Sequence, residues 1–394
     1  MKKTALSTVL VILLVLLTLT GCATTEKKSS IGFTVIGDHV IELDTITDID
    51  FEKGLEYFET NFGAFGCTAV GKVISNGDMI IGRSYDLEYS NAPAYIVKTA
   101  IPGHYKTIGV AYNAFTGTAL EDIEKNGISE DELLTIYCMT GDVLNEKGFY
   151  IEANMRDTQP EETGIAECSG TNPGAEVRLS FATLLRYLGE RAATVDEALE
   201  IANSLDVYGF KTETVSWGGG IFMADATGHY GVLELVDNKL VWNDMQPAQA
   251  NFYLSPDYID RAEIGMGLGR YETVMEGREA VDSEEDMRAL ITKVRYFQSN
   301  DPDNCIFDPI SELTGTVING KRYLLSDIKD ESNREFLMSV MREGGKAELE
   351  KSVEQMRNEK LSWVAAYQTV VNCNKRTLSV VFFEDDNLTY SYSL

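Results

Sequence analysis

Apolar and polar residues alternate from Ile31 to Thr47 around Gly37-Asp38, which predicts a hairpin. Helical spacing over Asp48–Phe62 offers Phe51, Leu55, Tyr57 and Phe58 to one face, with Asp48 or Asp50 as its cap. After the breaker Gly63-Ala64-Phe65-Gly66, strands are expected over Cys67–Val73 and Met79–Arg83, joined by the tight-turn sequence Ser75-Asn76-Gly77-Asp78. Further strand-like runs lie at Ala94–Thr99, Thr107–Tyr112 and Gly148–Asn154. Helices are expected over Glu176–Arg191 and Val195–Ser204, the second opened by Thr194 and Glu197 in a capping-box pattern. Strands follow at Gly220–Ala224, Gly231–Leu235 and Lys239–Trp242, then helices near Gly269–Gly277, Ser283–Arg295 and Asp330–Met341. The chain closes on strands at Trp363–Val371, Thr377–Phe383 and Leu388–Tyr392. Strands at both ends with helices between them point to an α+β layer fold whose sheet draws on both ends of the chain.

The first residues obey a different rule. Met1-Lys2-Lys3 is basic, Val9–Leu19 is almost wholly apolar, and Leu19-Thr20-Gly21-Cys22 follows. That order describes an export signal over residues 1–21, and the apolar run is short for a membrane span. Its ending resembles the bacterial lipobox, which implies lipid on Cys22 and a cell-envelope location outside the cytoplasm, anchored to the membrane. Residues 22–30 are small, polar and basic, as a tether would be.

Composition is that of a globular protein, with 44% hydrophobic and 24% charged residues. The 34 Lys and Arg against 62 Asp and Glu give a formal charge of -28, which argues against a nucleic-acid partner. Six cysteines, Cys22, Cys67, Cys138, Cys168, Cys305 and Cys373, include no Cys-x-x-Cys pair. Setting Cys22 and Cys67 aside, the other four read as small buried hydrophobes, with pairing left open. Histidine is scarce: His39, and two in turns, His104 and His229.

That scarcity shapes the chemistry of Cys67. A thiol needs a base to become a nucleophile, and no His here has the context of a cysteine protease. The amine of the nucleophile itself is an alternative base, with an ordinary pKa of about 7.7–8.0. It must be exposed by cutting the preceding bond, and Gly66 offers no side chain to obstruct attack on its carbonyl. Phe65-Gly66-Cys67-Thr68-Ala69-Val70 followed by Ile81-Gly82-Arg83-Ser84-Tyr85-Asp86 resembles the opening of the choloylglycine hydrolase family, which contains bile salt hydrolases, penicillin V acylases and related acid amidases. The resemblance implies that Arg83 stabilises the thiolate and Asp86 holds the α-ammonium. Asn145-Glu146-Lys147-Gly148-Phe149 resembles the segment before an active-site Asn, implying Asn154 as an oxyanion donor. Asn251 in Asn251-Phe252-Tyr253-Leu254-Ser255-Pro256 is implied as the second, and Gly267-Leu268-Gly269-Arg270-Tyr271 implies Arg270 as support for the thiolate or its neighbours.

The family fold is a four-layer αββα sandwich of the N-terminal nucleophile type. The expected organisation is a signal over 1–21, a tether over 22–30, a pro-segment over 31–66 and an amidase domain over 67–394. The expected activity is hydrolysis of a linear N-acyl amide (bile-salt, penicillin V or N-acyl amine class) without metal or cofactor, in a chain that can assemble with copies of itself. An acyltransferase on the same scaffold and a non-catalytic lipid-anchored binding protein are the competing readings. Gly265-Met266-Gly267-Leu268-Gly269 lacks the glycine spacing and strand of a dinucleotide loop, and Asp301-Pro302-Asp303-Asn304 lacks the glycine and distal glutamate of a calcium loop.

Overall fold

The computed structural model describes residues 28–58, 66–88, 90–112, 117–157, 169–211, 216–254, 268–295, 316–318, 321–323 and 363–394. The signal, Cys22, Cys168, Cys305 and the helix expected over Asp330–Met341 lie outside these residues.

The described chain opens with β1 (Phe33–Gly37) and β2 (Val40–Leu43), then α1 (Phe51–Phe58). The hairpin of β3 (Gly66–Val73) and β4 (Met79–Glu88) follows, with β5 (Ala94–Thr99) and β6 (Thr107–Tyr112) after it. Helices α2 (Leu120–Asn126) and α3 (Glu130–Cys138) lead to β7 (Thr140–Asn145) and β8 (Tyr150–Asp157). Then come β9 (Arg178–Ser180), α4 (Phe181–Gly189), α5 (Val195–Ser204), β10 (Asp206–Tyr208) and β11 (Phe210–Lys211). Strands β12 (Ser216–Ala224), β13 (Tyr230–Val236), β14 (Lys239–Asp244) and the short β15 (Ala248–Gln249) precede α6 (Leu268–Arg278) and α7 (Glu284–Thr292). A small hairpin, β16 (Thr316–Ile318) with β17 (Lys321–Tyr323), stands apart, and β18 (Trp363–Asn372), β19 (Thr377–Phe382) and β20 (Asp385–Ser393) end the chain.

Two sheets carry the architecture. The larger runs β1-β2-β5-β6-β7-β8-β12-β13-β14, with β11 also on β12, and the smaller runs β15-β3-β4-β18-β19-β20. Alternation along the strands sorts the side chains into layers. In the large sheet Val143, Ile151, Ile221, Met223, Leu233 and Leu235 meet Leu184, Leu185, Leu188, Ala198 and Ala202 of α4 and α5. The intervening residues Leu144, Tyr150, Phe222 and Val232 face Cys67, Ala69, Ile81, Tyr85, Tyr367 and Val371 of the small sheet. The far face of the small sheet (Val70, Ile80, Val370) is covered by Val274 of α6 and by Met287, Leu290 and Ile291 of α7. The order is therefore helix, sheet, sheet, helix, the α+β sandwich expected. Gly82 lets α7 come down on the small sheet, since a Cβ there would lie 2.5 Å from Ile291 Cγ2.

The structure differs from the sequence-based expectation at several elements. The helix expected over Glu176–Arg191 starts at Phe181, because Ser180 is its N-cap and accepts from the Thr183 N–H at 3.4 Å. Arg178–Ser180 is instead a strand, parallel to β10. Helices α2 and α3 and strand β7 were not anticipated; β7 reads Thr-Gly-Asp-Val-Leu-Asn, with too few apolar residues to announce itself.

The hairpin expected over Ile31–Thr47 is β1–β2, and it is built into the large sheet. β2 pairs in parallel with β5, and Val40, Ile41 and Leu43 are fully buried. Tyr390 and Tyr392 of β20 donate to the Ile36 carbonyl (2.8 Å) and to Glu42 (2.9 Å). Phe51 of α1 packs edge-on against Tyr137 of α3, with ring centres 6.2 Å apart.

Candidate active site

Cys67 lies near the start of β3, and the register of the hairpin sets what surrounds it. Gly66 pairs with Asp86, Cys67 with Tyr85 and Ala69 with Arg83. Cys67, Arg83 and Tyr85 consequently face the large sheet, while Thr68, Ser84 and Asp86 face the helices. On the next strand Tyr367 pairs with Tyr85 and Gln368 with Ser84, beside an irregularity in register between Ala365 and Tyr367. Such bulges re-aim side chains next to functional sites. Extending the β15–β3 register by two residues from Gln249↔Ala69 brings Asn251 opposite Cys67.

One set of groups gathers around the sulfur. Arg83 Nη2 lies 3.6 Å from Cys67 Sγ and donates to the Ala153 carbonyl at 2.6 Å. Its Nη1 donates to Asp142, to the Gly141 carbonyl (2.7 Å) and to the Tyr367 hydroxyl (3.1 Å). Its Nε stands 2.9 Å from Glu152 Oε2, an ion pair without hydrogen-bond alignment. Asp142 also accepts from the Thr369 hydroxyl at 2.6 Å, and Glu152 from the Gln249 amide. Asp142 and Glu152 are register partners on β7 and β8, and both are completely buried. Like charges placed opposite each other in a ladder repel. Arg83, reaching across from the other sheet, lies against both. Gly141 leaves it room: a Cβ there would lie 2.5 Å from the Tyr367 hydroxyl oxygen and 3.1 Å from Arg83 Nη1. The guanidinium also lies over the Tyr85 ring, 4.8 Å from its centre, and Tyr85 stacks on Tyr367.

A second set gathers around the nitrogen of the same residue. The Cys67 N–H donates to Asn251 Oδ1 at 2.8 Å. Arg270 Nη2 donates to that oxygen at 2.9 Å, and its Nη1 donates to Thr68 Oγ1 (2.8 Å) and Asp86 Oδ2 (3.2 Å). Asp86 Oδ1 accepts from Ser84 Oγ at 2.8 Å. Thr68, Asp86, Asn251 and Arg270 are each 2% exposed or less.

The six residues singled out from the sequence thus converge. Arg83 sits on the sulfur side. Arg270 supports the neighbours of the nitrogen. Asn251, read from the sequence as an oxyanion donor, turns its carbonyl oxygen to the Cys67 nitrogen. Asn154 sits on the inner face of β8 beside Glu152; because Glu152 Oε2 and the Ala153 carbonyl can only accept, the amide is assigned with its nitrogen toward them, at 2.9 Å and 3.3 Å. Asp142, Glu152, Gln249, Tyr367 and Thr369 were not singled out. Their signal is a polar or charged residue at an inward position of a strand buried on both faces.

Burial pushes the Cys67 thiol up to about 11; Arg83 and Arg270 pull it down, while Asp86 and Glu152 push it further up. In the intact chain the sulfur is therefore protonated at neutral pH. Arg83 is held well above its ordinary value; burial opposes this, but Tyr367, Glu152 and Cys67 outweigh it. Among the described residues no group of three or more His, Cys, Asp or Glu is arranged to hold a metal ion.

No family model matches the chain, and no curated protein does. Solved structures do. Two forms of the conjugated bile acid hydrolase from Clostridium perfringens match with TM-score 0.43 at 12% and 14% identity, over 83% of this chain and 92% of theirs. A penicillin V acylase from Agrobacterium tumefaciens matches with TM-score 0.44 at 13% identity, over 83% of this chain and 86% of that one. A likeness at this level decides neither substrate nor mechanism.

Proposed function

We propose that this chain hydrolyses linear N-acyl amides with Cys67 as nucleophile, after the Gly66–Cys67 bond has been cut to free the Cys67 amine. The supporting observation is that sulfur and nitrogen of one residue each have their own polar setting: Arg83 Nη2 at 3.6 Å from Sγ, and Asn251 Oδ1 at 2.8 Å from N. Arg83 lies against Asp142 and Glu152, and Arg270 against Asp86, so charged groups stand close to both atoms. A freed α-ammonium forms at the atom Asn251 already holds.

In the cut, Sγ adds to the Gly66 carbonyl carbon and the carbon–nitrogen bond breaks. The departing nitrogen takes the thiol proton. Water then hydrolyses the thioester, leaving the Gly66 carboxylate and a free thiol beside a free amine. In turnover the amine takes the thiol proton as Sγ adds to the substrate carbonyl, then delivers it to the leaving amine. Water releases the acyl group as a carboxylic acid. Asn154 completes the oxyanion site when its amide turns from Glu152 toward the substrate oxygen.

The lipid on Cys22 lies on the far side of the cut, and the hairpin β1–β2 answers that problem. It stays in the large sheet after cutting and ties the catalytic fragment to its anchor. Exposing Val40, Ile41 and Leu43 would cost roughly 5 kcal/mol or more. Membranes carrying the cut protein are expected to retain the catalytic fragment through salt washes and to lose it in denaturant. Its appearance in the salt wash would count against retention. For the activity, Cys67→Ala is expected to leave the chain uncut and inactive toward N-acyl amides. Amide hydrolysis surviving in that variant would overturn the assignment.

A further inference from the structure

A line of hydrogen bonds leaves Asp86 on the helix-facing side of the small sheet. Ser84 Oγ donates to Asp86 Oδ1 at 2.8 Å, and Gln368 Nε2 donates to Ser84 Oγ at 3.2 Å. Gln368 Nε2 also donates to the Ile291 carbonyl of α7 at 2.7 Å, so both of its hydrogens are used. Arg295 Nε donates to Gln368 Oε1 at 2.7 Å. Arg295 Nη2 lies 3.3 Å from Asp386, whose side chain is 86% exposed. Ser84 and Gln368 are buried, and they are direct register partners on β4 and β18.

The polarity of this line has one solution. A guanidinium only donates, so the end of the Gln368 amide facing Arg295 is its oxygen. The NH2 end then faces Ser84 and the Ile291 carbonyl. Ser84 Oγ accepts from that NH2, and its own hydrogen points to Asp86. A hydrogen bond given to a carboxylate favours the ionised form. Arg295 and the Ile291 carbonyl together thus fix which end of the Gln368 amide faces Ser84, and through it the direction of the Ser84 hydroxyl.

We propose that Ser84, Gln368 and Arg295 are positioning residues that keep Asp86 ionised and oriented to receive the Cys67 amine. This rests on the reading of Cys67 as a residue freed at its nitrogen. It adds a structural source for the charge of Asp86: the α7 end of the sandwich, reached through the sheet.

Two measurements test it, with thermal melts showing that each variant is folded. The first titrates the Asp86 carboxyl by carbon NMR in the uncut Cys67→Ala chain, the signal being assigned by its absence in Asp86→Asn. Ser84→Ala is expected to titrate about one pH unit higher, as loss of a hydrogen bond to a charged group requires. Gln368→Glu is expected to shift it the same way, because a carboxylate there turns the Ser84 hydrogen away from Asp86. Ser84→Thr is expected to restore the parent value. An Asp86 titration unmoved by Ser84→Ala would overturn the proposal.

The second follows by intact mass the appearance of the fragment beginning at Cys67 in chains that retain the cysteine. Ser84→Ala is expected to slow it about 10-fold, with Ser84→Thr restoring the rate. An unchanged rate beside a shifted titration would mean that the charge of Asp86 plays no part at the Cys67 nitrogen, and would also overturn it. A wild-type chain that is never cut refutes instead the reading of Cys67, and shows this without any variant.

Discussion

The sulfur side and the nitrogen side of Cys67 are built differently. On the sulfur side, Arg83 lies between two buried carboxylates from the opposite sheet, and Asp142 takes further donors from Tyr367 and Thr369. On the nitrogen side, Asn251 takes the single peptide N–H, and Arg270 ties Asn251 to Asp86. The first network draws on both sheets and stands assembled in the intact chain. The second sets Asn251 Oδ1 on a nitrogen that, once freed as proposed, has more hydrogens to give, with Asp86 joined to Asn251 through Arg270. On the proposed reading, the difference separates what folding must finish from what cutting would add: the cation beside the sulfur is a matter of core assembly, and the base a matter of processing.

Mutations can break this comparison at its shared residue or on either side. Cys67→Ala removes the sulfur and keeps the nitrogen. Turnover and cutting are expected to vanish while folding changes by only about 1–3 kcal/mol, read by activity, intact mass and denaturant melts. Arg83→Leu strikes the sulfur side. It leaves Asp142 and Glu152 facing each other without their cation, and stability is expected to fall by about 3–5 kcal/mol. A chain that melts like the parent would show that the network is not part of the core. Asn251→Leu strikes the nitrogen side. Stability is expected to fall by about 1–3 kcal/mol, and the rate of amide hydrolysis by about 10²-fold. If its folding penalty matched that of Arg83→Leu, the division between the two sides would fail.

The smallest effect is in pH. The Cys67 thiol is pushed up to about 11 by burial, from an ordinary 9.0. The folded, uncut chain therefore holds this proton more tightly than the unfolded one. The stability this contributes is full below about pH 9 and is lost as the pH climbs through about 11. Melting the uncut Cys67→Ala chain beside freshly made parent precursor, at about pH 8 and about pH 10.5, is expected to show the steeper alkaline loss in the parent. Equal slopes would place the sulfur in a wetter setting than the geometry describes.

How much of this was legible in the sequence follows from how the residues are spaced. Cys67, Arg83 and Asp86 lie on one hairpin, and the turn between their strands brings them together by register alone. Asn251 and Arg270 arrive from distant segments, and a motif resemblance pointed to them. Asp142 and Glu152 gave no such sign. An acidic residue alternating with apolar ones in a strand ordinarily faces water, and here that face is closed by a second sheet. The role of Asn251 was hidden for another reason. Which end of an amide meets the Cys67 nitrogen depends on Arg270, which takes up the same oxygen. In the fold, β7 and helix α2 escaped because they are short and largely polar, and α3 because its apolar residues form one continuous run, Leu133-Leu134-Thr135-Ile136-Tyr137, without helical spacing.

The most direct test is the first residue of the working enzyme. Protein purified by its amide-hydrolysing activity is expected to yield a fragment whose N-terminal sequence begins Cys67-Thr68-Ala69-Val70. Activity found only in chains that still read through Gly66 into Cys67 would contradict the account, because the nitrogen beside the sulfur would then have no base to offer.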